Sequence, residues 1–234
     1  MSPRLSEKRR GARAERGDPT REKLLTASIE VFGRYGFDGA TTRALADAAG
    51  VNLQAIPYYF GGKEGLYLAA AEHIGELIAS HIGELRDAVR SRLAAADQGS
   101  VPLGREEAAD LLTRILRTMA ALFVSDESAP WARFLIREQM EPTEAFQRVY
   151  AGVMKPMLEV GRRLVGIILG EDPETDHVKL RTFTLLGGVM VFRMAHAAVL
   201  AELKWGKFGP RETEDVQRLA GEIVASLVTS GKST

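Results

Sequence analysis

The stretch VNLQAIPYYFGGKEGLY, residues 51–67, decides how this chain is read. Asn52 opens a short helical pattern in which Ile56 and Phe60 fall four apart on one face. Pro57 stands between them, where a helix interior needs a backbone N–H. The pair Gly61-Gly62 breaks the chain, and a much longer apolar stripe starts at Lys63. Whether the proline defeats the short helix or only reshapes it depends on what precedes it.

Working backward, Thr41 and Thr42 cap a helix, RALADAAG, that stops at Gly50, where a tight turn needs positive φ. Ala46 is small where two helices cross closely. Leu45, Val51 and Ile56 are apolar where the pair must pack on an earlier helix. That earlier helix starts at Pro19, repeats Leu24, Leu25, Ser28, Val31, Phe32 and Tyr35 at threes and fours, and halts at Gly36. These offsets meet the steric demands of a helix-turn-helix.

On these residues the chain resembles the TetR (tetracycline-repressor-like) family of bacterial transcription regulators. The likeness covers LLTASIEVFGRYGFDGATTRALADAAGVNLQAIPYYFGGKEGLY, with its TTRALADAAGV core and YYFGGKEGLY tail. It implies an all-α protein: a three-helix DNA-binding domain joined by a long helix to a larger ligand-binding and dimerisation domain.

In a helix-turn-helix the second helix enters the major groove N-terminus first, which places residues near Asn52 closest to base edges. Gln54 is the best base reader, because its amide pairs bidentately with adenine, and Ala55 offers a methyl contact to thymine. Arg43 is placed to reach guanine or a phosphate. The hydroxyls of Thr41 and Thr42 suit a phosphate, as do the phenols of Tyr58 and Tyr59 and the ammonium of Lys63. Plainer roles stand beside these. Arg43 and Asp47 make an i, i+4 pair, Thr41 and Asn52 cap helices in any protein, and one of the two tyrosines is expected to be half-buried.

Pro57 departs from the family pattern, which commonly has a phosphate-holding tyrosine there. The departure shifts that task to Tyr58, Tyr59 and Lys63, and it predicts a shortened or kinked helix ending near Tyr58.

Net charge over the 234 residues is zero but unevenly placed. Residues 1–63 hold 11 Lys and Arg against 7 Asp and Glu, and the rest hold 20 against 24. A basic front suits a polyanion. Residues 1–18 lack hydrophobic periodicity and are expected to form a flexible basic arm. Arg9, Arg10, Arg13 and Arg16 there are placed for the minor groove or for counterion release. The absence of cysteine excludes disulfides and thiolate metal sites and fits a reducing cytoplasm. No run of apolar residues is long enough for a membrane span.

The expected organisation is an arm over 1–18, a DNA-binding domain over 19–65 and a helical body over 66–234, about nine helices in all. Helical patterns cover about 63–95, 105–125, 129–140, 143–169, 175–203 and 212–229. Within the body, FLIREQMEPTEAFQRVYAGVMKPMLE resembles the C-terminal domain of the CecR-like subfamily through Arg137, Glu138, Pro142, Ala145, Phe146 and Pro156.

Segment 178–203 is apolar nearly all round, as befits a helix that is deeply buried or at a subunit interface. The resemblance implies that it pairs with segment 219–228 in a four-helix homodimer core. Phe183, Leu186, Met190, Met194 and Ala198 come from the first helix, and Leu219, Ile223 and Leu227 from the second. The resemblance also implies a small hydrophobic or aromatic effector. His73 and Leu77 of the long helix, with Trp131, Phe134, Arg137, Phe146, Tyr150 and Met154, form the candidate lining, although Met and Phe at this spacing more often make ordinary core.

The expected protein is thus a cytoplasmic, nucleoid-associated homodimeric repressor of a palindromic operator, with double-stranded DNA as partner and no cofactor. A DNA-binding structural or recruiting factor without a ligand has the same front end. An enzyme is disfavoured: His73, His81, His177 and His196 show no metal-ligand spacing, and no nucleotide or nucleophile motif is present.

Overall fold

Helix boundaries fall where the chain punctuates itself. The computed structural model describes residues 18–99 and 101–230; the arm, apart from Asp18, lies outside the described residues. Helix α1, Pro19–Gly39, starts at Asp18, whose Oδ1 accepts the Thr20 amide at 2.9 Å while Pro19 fills the first position. Gly36 interrupts it with φ 72°. Helix α2, Thr42–Ala49, is capped by Thr41 Oγ1, which accepts the Ala44 amide, and is closed by left-handed Gly50. Next come α3, Ala55–Phe60, and α4, Lys63–Asp97.

After α4 come α5, Arg105–Val124, and α6, Ala129–Met140, joined by a 3-10 turn at Asp126–Ser128. Helix α7, Glu144–Val149, passes through a π-helical turn, Tyr150–Met154, into α8, Lys155–Leu169. The expected helix over 143–169 is therefore present with one wide turn inside it. The expected helix over 175–203 is bent by 76° at Ala195 into α9, Asp176–Met194, and α10, His196–Leu203. Helix α11, Pro210–Ser230, ends the described chain. All regular structure among the described residues is helical.

Packing divides the chain differently from the expected cut at residue 65. One unit runs through Gly75 and also takes Arg133–Val149; the other is Glu76–Ala132 with Tyr150 onward. In the first unit Leu24, Leu25 and Phe32 of α1, Leu45 of α2, Ile56 of α3 and Leu66 and Ile74 of α4 are buried together with Phe134 of α6. In the second, α5 is the central helix, packed on α8, α9 and α11 through Leu112, Leu116, Leu164, Val178, Leu185 and Val224. The late arrival of Arg133–Val149 in the first unit was not foreseen: apolar periodicity says that a face is buried, not which unit buries it.

Candidate nucleic-acid interface

Pro57 is accommodated by a delayed start. Asn52 Oδ1 accepts the Gln54 amide at 2.8 Å, and the amides of Ala55 and Ile56 bond the carbonyls of Asn52 and Leu53, three residues back. The Leu53 carbonyl that a fifty-seventh amide would serve is already taken, so the missing donor orphans nothing. Tyr58 N–H to Gln54 makes the first regular helical bond, and α3 runs on to Phe60, where left-handed Gly61 closes it. The expectation of an end near Tyr58 is corrected: the proline moves the helix start, not its end. Ile56, wholly buried, pins the segment to the core.

The structure separates residues treated alike in the sequence. Thr42, Arg43, Gln54 and Tyr58 are exposed, Tyr58 at 80%. Ala55 is half-buried, and the oxygens of Thr41 and Asn52 are occupied by their caps.

Tyr59 and Lys63 do not have the free exposure expected of phosphate contacts. Tyr59 donates its hydroxyl hydrogen to Asp18 Oδ2 at 2.5 Å, and this bond to the carboxylate raises its pKa. Lys63 Nζ donates to the carbonyls of Phe37 and Ala40, at 2.9 and 3.1 Å, and lies 4.2 Å from the Phe37 ring centre. Two of its three donors thus close the turn between α1 and α2. Gly65 was not singled out from the sequence, yet a Cβ there would stand 1.9 Å from the Phe60 carbonyl oxygen. The first turn of α4 crosses the end of α3 that closely.

The candidate ligand residues do not line one pocket within either unit. His73, Phe134, Arg137 and Phe146 belong to the first unit, and Leu77, Trp131, Tyr150 and Met154 to the second. Phe134 is core, 4.7 Å from the Tyr67 ring, and Trp131 is buried with its Nε1 donating to the Glu127 carbonyl at 2.7 Å. Arg137 lies flat against Gly36, whose Cβ would meet its guanidinium at 3.0 Å.

The second unit does hold an apolar pocket, walled by Ile82 and Leu85 of α4, Leu116 and Met119 of α5, Val160 of α8 and Leu185 of α9. Its room is about 30 Å³, enough for water-sized bodies. None of the eight candidate residues lines it.

The interface candidates fare unevenly. On α9, Leu180, Phe183, Val191 and Met194 form an exposed stripe, with Phe183 at 59% and Met194 at 62%. Ala198 and Leu219 are also exposed, while Leu186, Met190 and Ile223 are half-buried. Leu227 is corrected: at 4% exposure it is part of the chain's own core and unavailable to a partner.

A helix-turn-helix with an exposed recognition face on an all-helical body defines a DNA-binding regulator. Comparison with known proteins makes this specific. Residues 24–70 match the family described as bacterial regulatory proteins, tetR family, and residues 108–230 match the C-terminal domain of the HTH-type transcriptional dual regulator CecR. The chain is 34% identical to CecR of Shigella flexneri over 199 residues, 85% of this chain and 86% of that protein.

Among solved structures, AibR in complex with isovaleryl coenzyme A and operator DNA aligns with a TM-score of 0.60 at 16% identity, covering 89% of this chain and 98% of that one. FadR of Bacillus subtilis in complex with stearoyl-CoA aligns with a TM-score of 0.56 at 18% identity, covering 89% and 97%. The chain belongs to the TetR family of transcriptional regulators, with a C-terminal domain of the CecR type.

Proposed function

We propose that two copies of this chain form a repressor that grips a palindromic operator on the bacterial nucleoid and lets go when a small apolar effector enters the second unit. The observation that carries the dimer is the α9 stripe. Four large apolar side chains on one helix face remain in water, and a two-fold pairing with its counterpart covers them. The two recognition helices then address half-sites ~34 Å or a multiple apart. Gln54 selects bases, while Thr42, Arg43 and Tyr58 hold the backbone.

The size of the apolar pocket bears on the effector. A drug-sized ligand needs ~300 Å³ or more, about ten times the room in that pocket. Its entry has to part α4 from α5, α8 and α9. Such a ligand binds the opened form alone, which is the differential affinity that any shift of equilibrium requires. Because α4 continues unbroken to Lys63, the opened form carries a displaced helix toward the DNA-binding unit. The acyl-CoA complexes of AibR and FadR support an acyl chain as the effector class.

The small room of that pocket favours a second reading, a DNA-binding factor with no effector. The test uses a duplex that the protein selects from a random-sequence pool. Light scattering should report a dimer, and the duplex should be shifted in a gel and released by acyl-CoAs of graded chain length. No thermal stabilisation by any acyl-CoA leaves the effector-free reading standing. Failure to select any sequence removes both.

A further inference from the structure

Glu138 is the one charged residue among the described residues that is fully buried, at 2% exposure. Its Oε1 accepts the Tyr67 hydroxyl hydrogen at 2.5 Å. Its Oε2 accepts from the amides of Thr143 and Phe146, both at 3.0 Å, and from Thr143 Oγ1 at 2.9 Å. One carboxylate thus ties the end of α6 to the start of α7 on one side and to α4 on the other. A buried carboxylate so satisfied is stable where it is and costly to disconnect.

Tyr67 leads straight to the DNA-reading helices. It lies one helical turn after Lys63, whose ammonium closes the α1–α2 turn just before Thr42. Its ring packs edge-on to Phe32 and Phe37 of α1, at 4.8 and 5.2 Å, and against Phe134 of α6 at 4.7 Å. Two further ties hold the same pair of segments: Arg137 against Gly36, and Arg133 doubly bonded to Glu30 at 2.8 Å. The α6–α7 hairpin is thereby built into the DNA-binding unit, though it lies outside the helix-turn-helix in sequence.

On the reading of this chain as an operator-binding regulator, we infer that Glu138 and Tyr67 are positioning residues for DNA binding. Through their hydrogen bond the α6–α7 hairpin sets the placement of α1 and α2, and so the operator affinity, while touching no DNA. A hairpin locked in this way moves with the reading helices rather than past them.

The experiment compares the parent protein with Tyr67→Phe, Glu138→Gln and the double variant, on the selected duplex and on a scrambled one. Active fractions are first counted by stoichiometric titration, so that a loss of folded protein is not mistaken for a loss of affinity. Each single variant should weaken the selected duplex by about tenfold, with an unchanged salt slope because phosphate contacts persist. The double variant should lose little more than either single one. Affinity of the active fraction within twofold of the parent overturns the inference.

If Glu138→Gln does not fold, hydrogen exchange on the parent decides. By reciprocity, the Thr143 and Phe146 amides should exchange more slowly with the selected duplex bound and not with the scrambled one. Equal exchange rates overturn the inference. A parent that selects no duplex fails the regulator reading itself, which is a different result.

Discussion

Tyr59, near the end of α3, and Asp18, the N-cap of α1, are joined across 41 residues by a 2.5 Å hydrogen bond. The same carboxylate caps α1 through Oδ1 and holds the phenol through Oδ2. The N-cap of α1 and the next-to-last residue of α3 are thereby tied to each other, and the hydroxyl of one of two adjacent tyrosines is engaged within the protein. Tyr58→Phe should weaken binding to all sequences, whereas Tyr59→Phe should lower the melting temperature and leave the salt dependence of binding alone. A flatter salt slope for Tyr59→Phe would contradict this division.

Lys63→Ala tests the corrected role of that ammonium. It strips two carbonyls of their donor, and the expected loss is about 1–3 kcal/mol of folding stability, read by urea unfolding. The salt slope of DNA binding should stay as in the parent. A slope smaller by about one, with unchanged stability, restores the phosphate contact.

Gln54→Ala should relax base preference at one or two operator positions, by about 1–3 kcal/mol there. Re-selection from a random pool with the variant shows it directly. An unchanged consensus places base reading elsewhere on the motif.

Tyr67 makes stability depend on alkaline pH. Burial first, then the Glu138 carboxylate, raise its pKa above the ordinary phenol value of about 10. The folded state therefore prefers the neutral phenol. That contribution is fully present below pH ~10 and is lost as pH rises through the raised value. Near-ultraviolet titration should show one tyrosine ionising only as the protein unfolds, a step missing from Tyr67→Phe.

Phe183→Glu puts a charge in the middle of the α9 stripe. The variant should run as a monomer by light scattering, with helicity kept and operator affinity lost. A dimer that persists moves the subunit contact away from α9.

The helix-turn-helix was legible because its constraints are local: a small residue at the crossing, a glycine at positive φ, threonine caps at fixed offsets. Helix spans were legible for the same reason, since period and punctuation are written within a few turns. What stayed hidden was long-range pairing. Nothing near Lys63 says that its ammonium turns back to Phe37 and Ala40, and nothing near Tyr59 points to Asp18. Arg137 and Glu138 stood out as a family pattern, yet a cation among aromatics suits a ligand as well as a scaffold. Only packing shows Arg137 against Gly36 and Glu138 holding Tyr67. The proline was placed at the wrong end: it was expected to stop the helix near Tyr58, and it stands in the first turn of α3 instead.

The division of the chain has a bearing on inheritance. Arg133–Val149 belongs with the first 75 residues, although more than fifty residues of the other unit lie between them in the chain. A foreign reading head grafted at residue 75 would meet the host's Glu138 with whatever it carries at the place of Tyr67. If Glu138 and Tyr67 place the reading helices as inferred, operator affinity is encoded in two separated stretches of gene, and a working transplant, by an engineer or by recombination, has to carry both.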